Sequence, residues 1–204
     1  HIPQSYIENF DYAPVSSERL SREQVQKVLR ESAINPLAIP LPDKQARKAL
    51  LSTYAPLYEV EQATIDDQFG FPLWKEGTTL EIELQRPSVF NYLSWTRFQG
   101  QALLQLNYLM WFPARTAKSR YDILSGKLDG LLWRVTLQPD GEPLMFDSIH
   151  ACGCYHLFYA GNLSRPLPSL VGLQEPAFFP NQQGYSFTDL PLSLRIGAGN
   201  HYLR

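Results

Sequence analysis

A chain of 204 residues with 44% apolar and 19% charged side chains has the size and composition to bury a full hydrophobic core, which excludes a disordered segment. Its net charge of −2, with no run of Lys or Arg, excludes the basic stripe that tracks phosphates, so no nucleic-acid partner is expected. No window approaches ~18 consecutive apolar residues, so no membrane span is expected in this chain, which reads as a soluble domain.

Residues 1–20 show no periodicity and predict an extended arm. Ser21-Arg-Glu-Gln24 has the form of a capping box, and Val25, Val28 and Leu29 then follow at helical spacing. That helix should end before Asn35-Pro36, because the residue ahead of a proline disfavours helical backbone. After the connector Pro36 to Pro42, Asp43 is placed to cap a second helix carrying Ala46, Ala49 and Leu50, stopped before Pro56.

From Tyr58 onward the apolar period changes from 3.6 to 2. Thr79 to Gln85 alternates, with Leu80, Ile82 and Leu84 on one face and Glu81, Glu83 and Gln85 on the other, the pattern of a half-solvated antiparallel strand. Gln101 to Phe112 is apolar on one face and carries Leu103, Gln105, Asn107, Leu109 and Trp111 on the other, so both faces are largely covered and a central strand is predicted. Gly130 to Leu137 and Pro143 to Tyr159 predict a hairpin about Gln138-Pro-Asp-Gly141, where Pro139 presets φ and Gly141 tolerates a positive one. Asn162 to Gly184 reads as a long irregular loop, and Leu192, Leu194 and Ile196 as a last strand ending near His201. The expectation is a single α+β domain over residues 1–204, helical over 1–56 and β-rich over 57–204. Its short N-terminal helices would pack on a curved, mainly antiparallel sheet or partial barrel.

Both cysteines and two of the four histidines fall within His150-Ala-Cys-Gly-Cys-Tyr-His156. At about 3.3 Å per residue, a straight strand would hold His150 and His156 roughly 20 Å apart. One zinc ion, with ligands near ~2.0–2.3 Å, cannot gather four donors from such a strand. A four-ligand site therefore requires the chain to bend at Gly153, or a donor from elsewhere, of which His201 is the candidate.

Three readings follow. The first is a soft-metal site, zinc by preference, with His150, Cys152, Cys154, His156 and His201 as ligands. If such a metal activated water, Asp147 would be its proton acceptor and the catalytic candidate. The second is a non-catalytic binding or assembly module in which the Cys–His segment is structural. The third is a thiol-dependent enzyme or a CxC redox protein.

From Trp111-Phe-Pro-Ala-Arg115 through Leu128-Asp-Gly130 and Trp133-Arg-Val-Thr-Leu137 to Asp147-Ser-Ile-His-Ala-Cys-Gly-Cys-Tyr-His156, the chain resembles a family of uncharacterised bacterial proteins. These share a WFPxR…LDGxxWRVTL…DSIHxCGCYH pattern. The resemblance implies a bacterial source, in cytoplasm or periplasm, and a longer parent polypeptide with other domains as partners. It implies no particular activity. The start at His1 rather than Met likewise leaves room upstream for a signal peptide, a further domain or trimmed sequence.

Arg97, Arg115 and Arg134 lie beside aromatic or proline-rich segments. Arg115 and Arg134 are candidates for bidentate binding of a substrate carboxylate or phosphate, while Arg134 equally suits an ion pair with Glu81, Glu83 or Asp147. Glu81 and Glu83 read as a solvated strand face, Asp66-Asp67 lacks the spaced ligands of a calcium loop, and the tryptophans read as core or rim.

Overall fold

The structure, a computed structural model, describes residues 8–12 (backbone only), 19–75, 79–117, 121–122, 125–162, 178–180 and 184–204. Among them the chain forms two α-helices and ten strands, nearly all antiparallel, an α+β arrangement. Among the described residues no helix is long and apolar enough to cross a membrane.

Helix α1 (Arg22–Ser32) starts as the sequence predicts: Ser21 Oγ accepts from the Gln24 N–H, and the Gln24 side chain reaches back to the Ser21 N–H at 2.7 Å. Helix α2 (Lys44–Thr53) is capped by Asp43, which accepts from the Ala46 N–H at 2.8 Å. Both contribute to one buried cluster, in which Val25, Leu29, Leu50 and Leu51 join Leu104, Tyr108, Val135 and Leu137. The Tyr108 hydroxyl donates to the Leu51 carbonyl, so the polar atom of a buried ring is satisfied across that junction.

The strands divide into three sheets. Strand β1 (Glu8–Tyr12) pairs antiparallel with β2 (Leu57–Gln62), whose other edge takes β10 (Ser193–Ile196) in parallel. Part of the expected N-terminal arm is thus a strand. Strands β3 (Phe71–Trp74) and β4 (Leu80–Glu83) form a ribbon with the predicted half-exposed alternation. The largest sheet runs β5 (Val89–Phe98), β6 (Gln101–Arg115), β7 (Gly126–Leu137), β8 (Pro143–His150) and β9 (Leu157–Ala160). This sheet is open, not a partial barrel: β5 and β9 are its opposite edges and do not pair with each other. Closure fails because strands expected to share one sheet are distributed over three.

Strand β6 is flanked on both sides, the central position predicted for it. Its core face carries Leu104, Leu106, Tyr108, Met110 and Phe112, opposite Val135, Trp133 and Leu131 of β7. The other face buries a cross-strand polar ladder. Ser94 donates to Gln105 Oε1, Gln105 donates to Thr136 Oγ1, and Asn107 donates to Ser94 Oγ.

The β7–β8 hairpin turns at Gln138–Gly141, with Gly141 at φ +86°. The expectation of one continuous strand from Pro143 to Tyr159 is corrected. Strand β8 ends at His150, residues 151–156 turn, and β9 returns antiparallel to β8. The expected irregular loop lies mostly outside the described residues.

Candidate functional site

The heptapeptide is therefore not a strand but a turn at the end of β8. The His150 N–H donates to the Cys154 carbonyl, the Gly153 N–H to the His150 carbonyl, and the Ala151 N–H to the Gly130 carbonyl. Gly153, at φ +83°, supplies the bend that was expected only as a condition of a four-ligand site. Gly130 is required by closeness: a β-carbon there would meet Ala151 and the Trp111 ring at 2.9 Å.

Alternation along the strands decides which candidate residues meet. Registers Val135↔Phe146 and Leu131↔His150 put His150 on the core side of the sheet, together with Asp129 beyond Leu131. Arg134 and Asp147, an odd number of residues away, project from the opposite side. The two histidines that flank the cysteines accordingly serve different carboxylates.

On the core side, Asp129 bridges two histidines. Its Oδ1 lies 3.0 Å from His150 Nδ1 and its Oδ2 lies 2.8 Å from His201 Nδ1. His201 is fully buried, stacks on Phe112 at 3.9 Å between ring centroids, and brings Nε2 within 3.3 Å of Asp67 Oδ1. Asp67 in turn accepts from the backbone N–H groups of Gly199, Ala63 and Thr64. The result is a buried array in the order Asp67, His201, Asp129, His150.

Burial pushes the Asp129 carboxyl up, but hydrogen bonds from His150 and His201 outweigh it and hold it far below the usual carboxylate range. Asp67 is brought down to about 2 in the same way, by His201 and the three N–H groups against its burial. Burial pushes His201 down, yet its two carboxylates outweigh this and raise it above its ordinary value. An ionised Asp129 accepts from both imidazoles, so Nδ1 of His150 carries the proton. In the neutral ring Nε2 is then the free base, and this atom is buried without a hydrogen-bond partner among the described residues.

Beside His150 stand Tyr155 and Tyr202, with ring centroids 5.9 and 5.3 Å away. Arg115 lies over the same two rings at 5.4 and 5.1 Å and donates to the Tyr202 hydroxyl at 2.9 Å. It is 7% exposed, and its Nε has no hydrogen-bond partner among the described residues. The two thiols are free; the Cys154 N–H points to Cys152 Sγ at 3.4 Å. Hydrogen bonding to the Cys152 thiol, then burial, pushes the Cys154 thiol up.

On the other side of the sheet, buried Asp147 accepts from Arg134 Nε at 2.9 Å, Arg134 Nη2 at 2.7 Å and His156 Nε2 at 2.9 Å. Arg134 thus makes one of the ion pairs expected of it, and Asp147 has both oxygens engaged away from His150. Glu81 pairs with Lys75 on an exposed strand face, and Trp133 is core, stacked on Phe146. Of the five candidate ligands, His150, Cys152 and Cys154 share the turn, and His201 joins His150 only through Asp129. His156 is held elsewhere. Among the described residues no group of three or more His, Cys, Asp or Glu is gathered to hold a metal ion.

The sequence reading missed Asp129, Asp67, Tyr155 and Tyr202. Asp129 carried a signal in the Leu-Asp-Gly segment two residues before Leu131 on the core face; Asp67, far away in sequence, carried none. The chain matches no protein-family model, no curated protein and no solved structure.

Proposed function

We propose that the turn 150–154 binds a soft divalent metal ion of the zinc class, through His150 Nε2 and the thiolates of Cys152 and Cys154, leaving a fourth position open. The observation that supports this reading is the buried, unpartnered Nε2 of His150. A metal-ligating imidazole donates its other N–H to a carboxylate, and Asp129 stands in that place. The exposed Cys152 and its neighbour Cys154 are the adjacent soft donors, and a cation there would reverse the mutual effect that raises Cys154. His156 and His201, included as ligands at the outset, are left out because each is held by carboxylates away from the thiols, His156 Nε2 by Asp147 and His201 between Asp129 and Asp67. Binding requires the turn to close over His150, since the three donors are not already gathered.

The carboxylate partners of His150, His156 and His201 favour a second reading, a non-catalytic module whose Cys–His segment is a structural clasp. Zinc titration against a chromophoric chelator separates the two. The metal reading predicts one equivalent bound by the wild type and weakened at least tenfold in Cys152→Ser and in His150→Gln. The clasp reading predicts no binding and thermal stability unchanged by Cys152→Ser.

A further inference from the structure

A second site lies at the other end of β7. Leu137, which lines it, is eight residues from Asp129, roughly 26 Å by strand rise. Here a cleft of about 800 Å³ opens between α1 with the loop that follows it, the β5–β6 hairpin, and the Gln138–Asp140 turn. That volume falls in the range of small-ligand sites, ~300–1,000 Å³.

The floor is apolar and buried, formed by Leu29, Leu104 and Leu137. The rim carries exposed apolar side chains, Leu37 at 74% and Trp95 at 41%. The Trp95 indole N–H donates to the Pro40 carbonyl, which ties the loop to β5 and fixes one wall. Exposed apolar surface at a concave site marks ligand contact.

The polar groups share one preference. Arg30 and Arg97 line the cleft, are exposed, and have no carboxylate partner among the described residues. Asp140, the acidic residue of the lining, is already paired with Arg22 at 2.7 Å. The side-chain nitrogen of Gln138, another lining residue, is buried without a hydrogen-bond partner among the described residues. Two unpaired cations and an unmet donor around an apolar floor fit a ligand with an apolar tail and an acceptor-rich anionic head.

From this we infer that the cleft is a binding site for a single-chain anionic amphiphile, a medium- or long-chain carboxylate. The test is calorimetric titration of the full chain with octanoate, decanoate and dodecanoate below their micellar concentrations. Affinity should rise about fourfold per methylene, the transfer free energy of a buried CH₂. Arg30→Gln/Arg97→Gln should weaken decanoate at least fivefold with an unchanged circular dichroism spectrum. In a separate measurement, decanoate should change the fluorescence of the wild type and not that of Trp95→Phe. Absence of binding at 1 mM for all three carboxylates would overturn the inference. So would equal affinity for decyltrimethylammonium, or self-association of the chain that the double arginine variant abolishes.

Discussion

Asp129→Asn tests the buried array at its centre. The carboxylate makes contacts of 3.0 and 2.8 Å to two imidazoles, is 7% exposed, and is held ionised by them. A carboxamide keeps the shape but removes the charge. Its amide nitrogen also turns a donor toward one of two Nδ1–H groups, so one histidine loses its acceptor. Hydrogen bonds to charged groups contribute about 1.5–3 kcal/mol each, and breaking a buried charged pair costs about 3–5 kcal/mol. A loss of about 3 kcal/mol is expected, which for a chain of this length lowers Tm by roughly 6–12 °C. Urea unfolding should show a lower midpoint with the slope unchanged. The His201 resonance should titrate at lower pH, since one of its two carboxylates is gone. A loss below about 1 kcal/mol with His201 titrating as in the wild type would refute the bridging role.

Three further expectations concern stability. His201 is raised above its ordinary 6.5, so its contribution is complete below that pH and is lost as pH rises through the folded value. Asp67 falls from 3.8 to about 2, so it contributes about 2 kcal/mol above pH ~4, lost as pH falls toward 2. Denaturation midpoints across pH 2–9 should therefore peak between ~4 and ~6.5, and a maximum above pH 8 would contradict this. Arg134→Met leaves buried Asp147 with His156 alone and should cost about 3 kcal/mol, much of it restored by Asp147→Leu in the same chain; additive losses in that cycle would contradict the pairing. Gly130→Ala should cost about 1–3 kcal/mol by thermal melting, because its methyl group meets Trp111 and Ala151.

Local chemistry was legible in the sequence. Ser21 with Gln24, Asp43, and the Pro139–Gly141 turn act through neighbours a few residues away, so spacing alone located both helices and the central hairpin. The alternation of β4 and the two largely covered faces of β6 likewise reported burial directly. Sheet membership was not legible, because β2 pairs with β1 across 46 to 54 residues and with β10 across 136. At the candidate site a bend at Gly153 was expected only as a condition of a four-ligand metal site, and His201 only as a ligand; the structure has the bend, and His201 meets His150 through Asp129. What joins them was hidden. Asp129 reaches His201 across 72 residues, and Asp67 reaches Gly199 across 132. His156 follows the turn and meets Asp147, which projects from the opposite side of the sheet to His150, whereas a straight-strand reading puts both histidines on one face.

The most direct test of the proposed centre replaces zinc with cobalt(II) and reads its visible and near-ultraviolet spectrum. Thiolate-to-cobalt charge-transfer bands at one equivalent are predicted, reduced by half in Cys152→Ser or Cys154→Ser. In His150→Gln the d–d bands should shift while the thiolate bands remain. A spectrum indistinguishable from aqueous cobalt(II), with both thiols still free to a thiol reagent, would contradict the account.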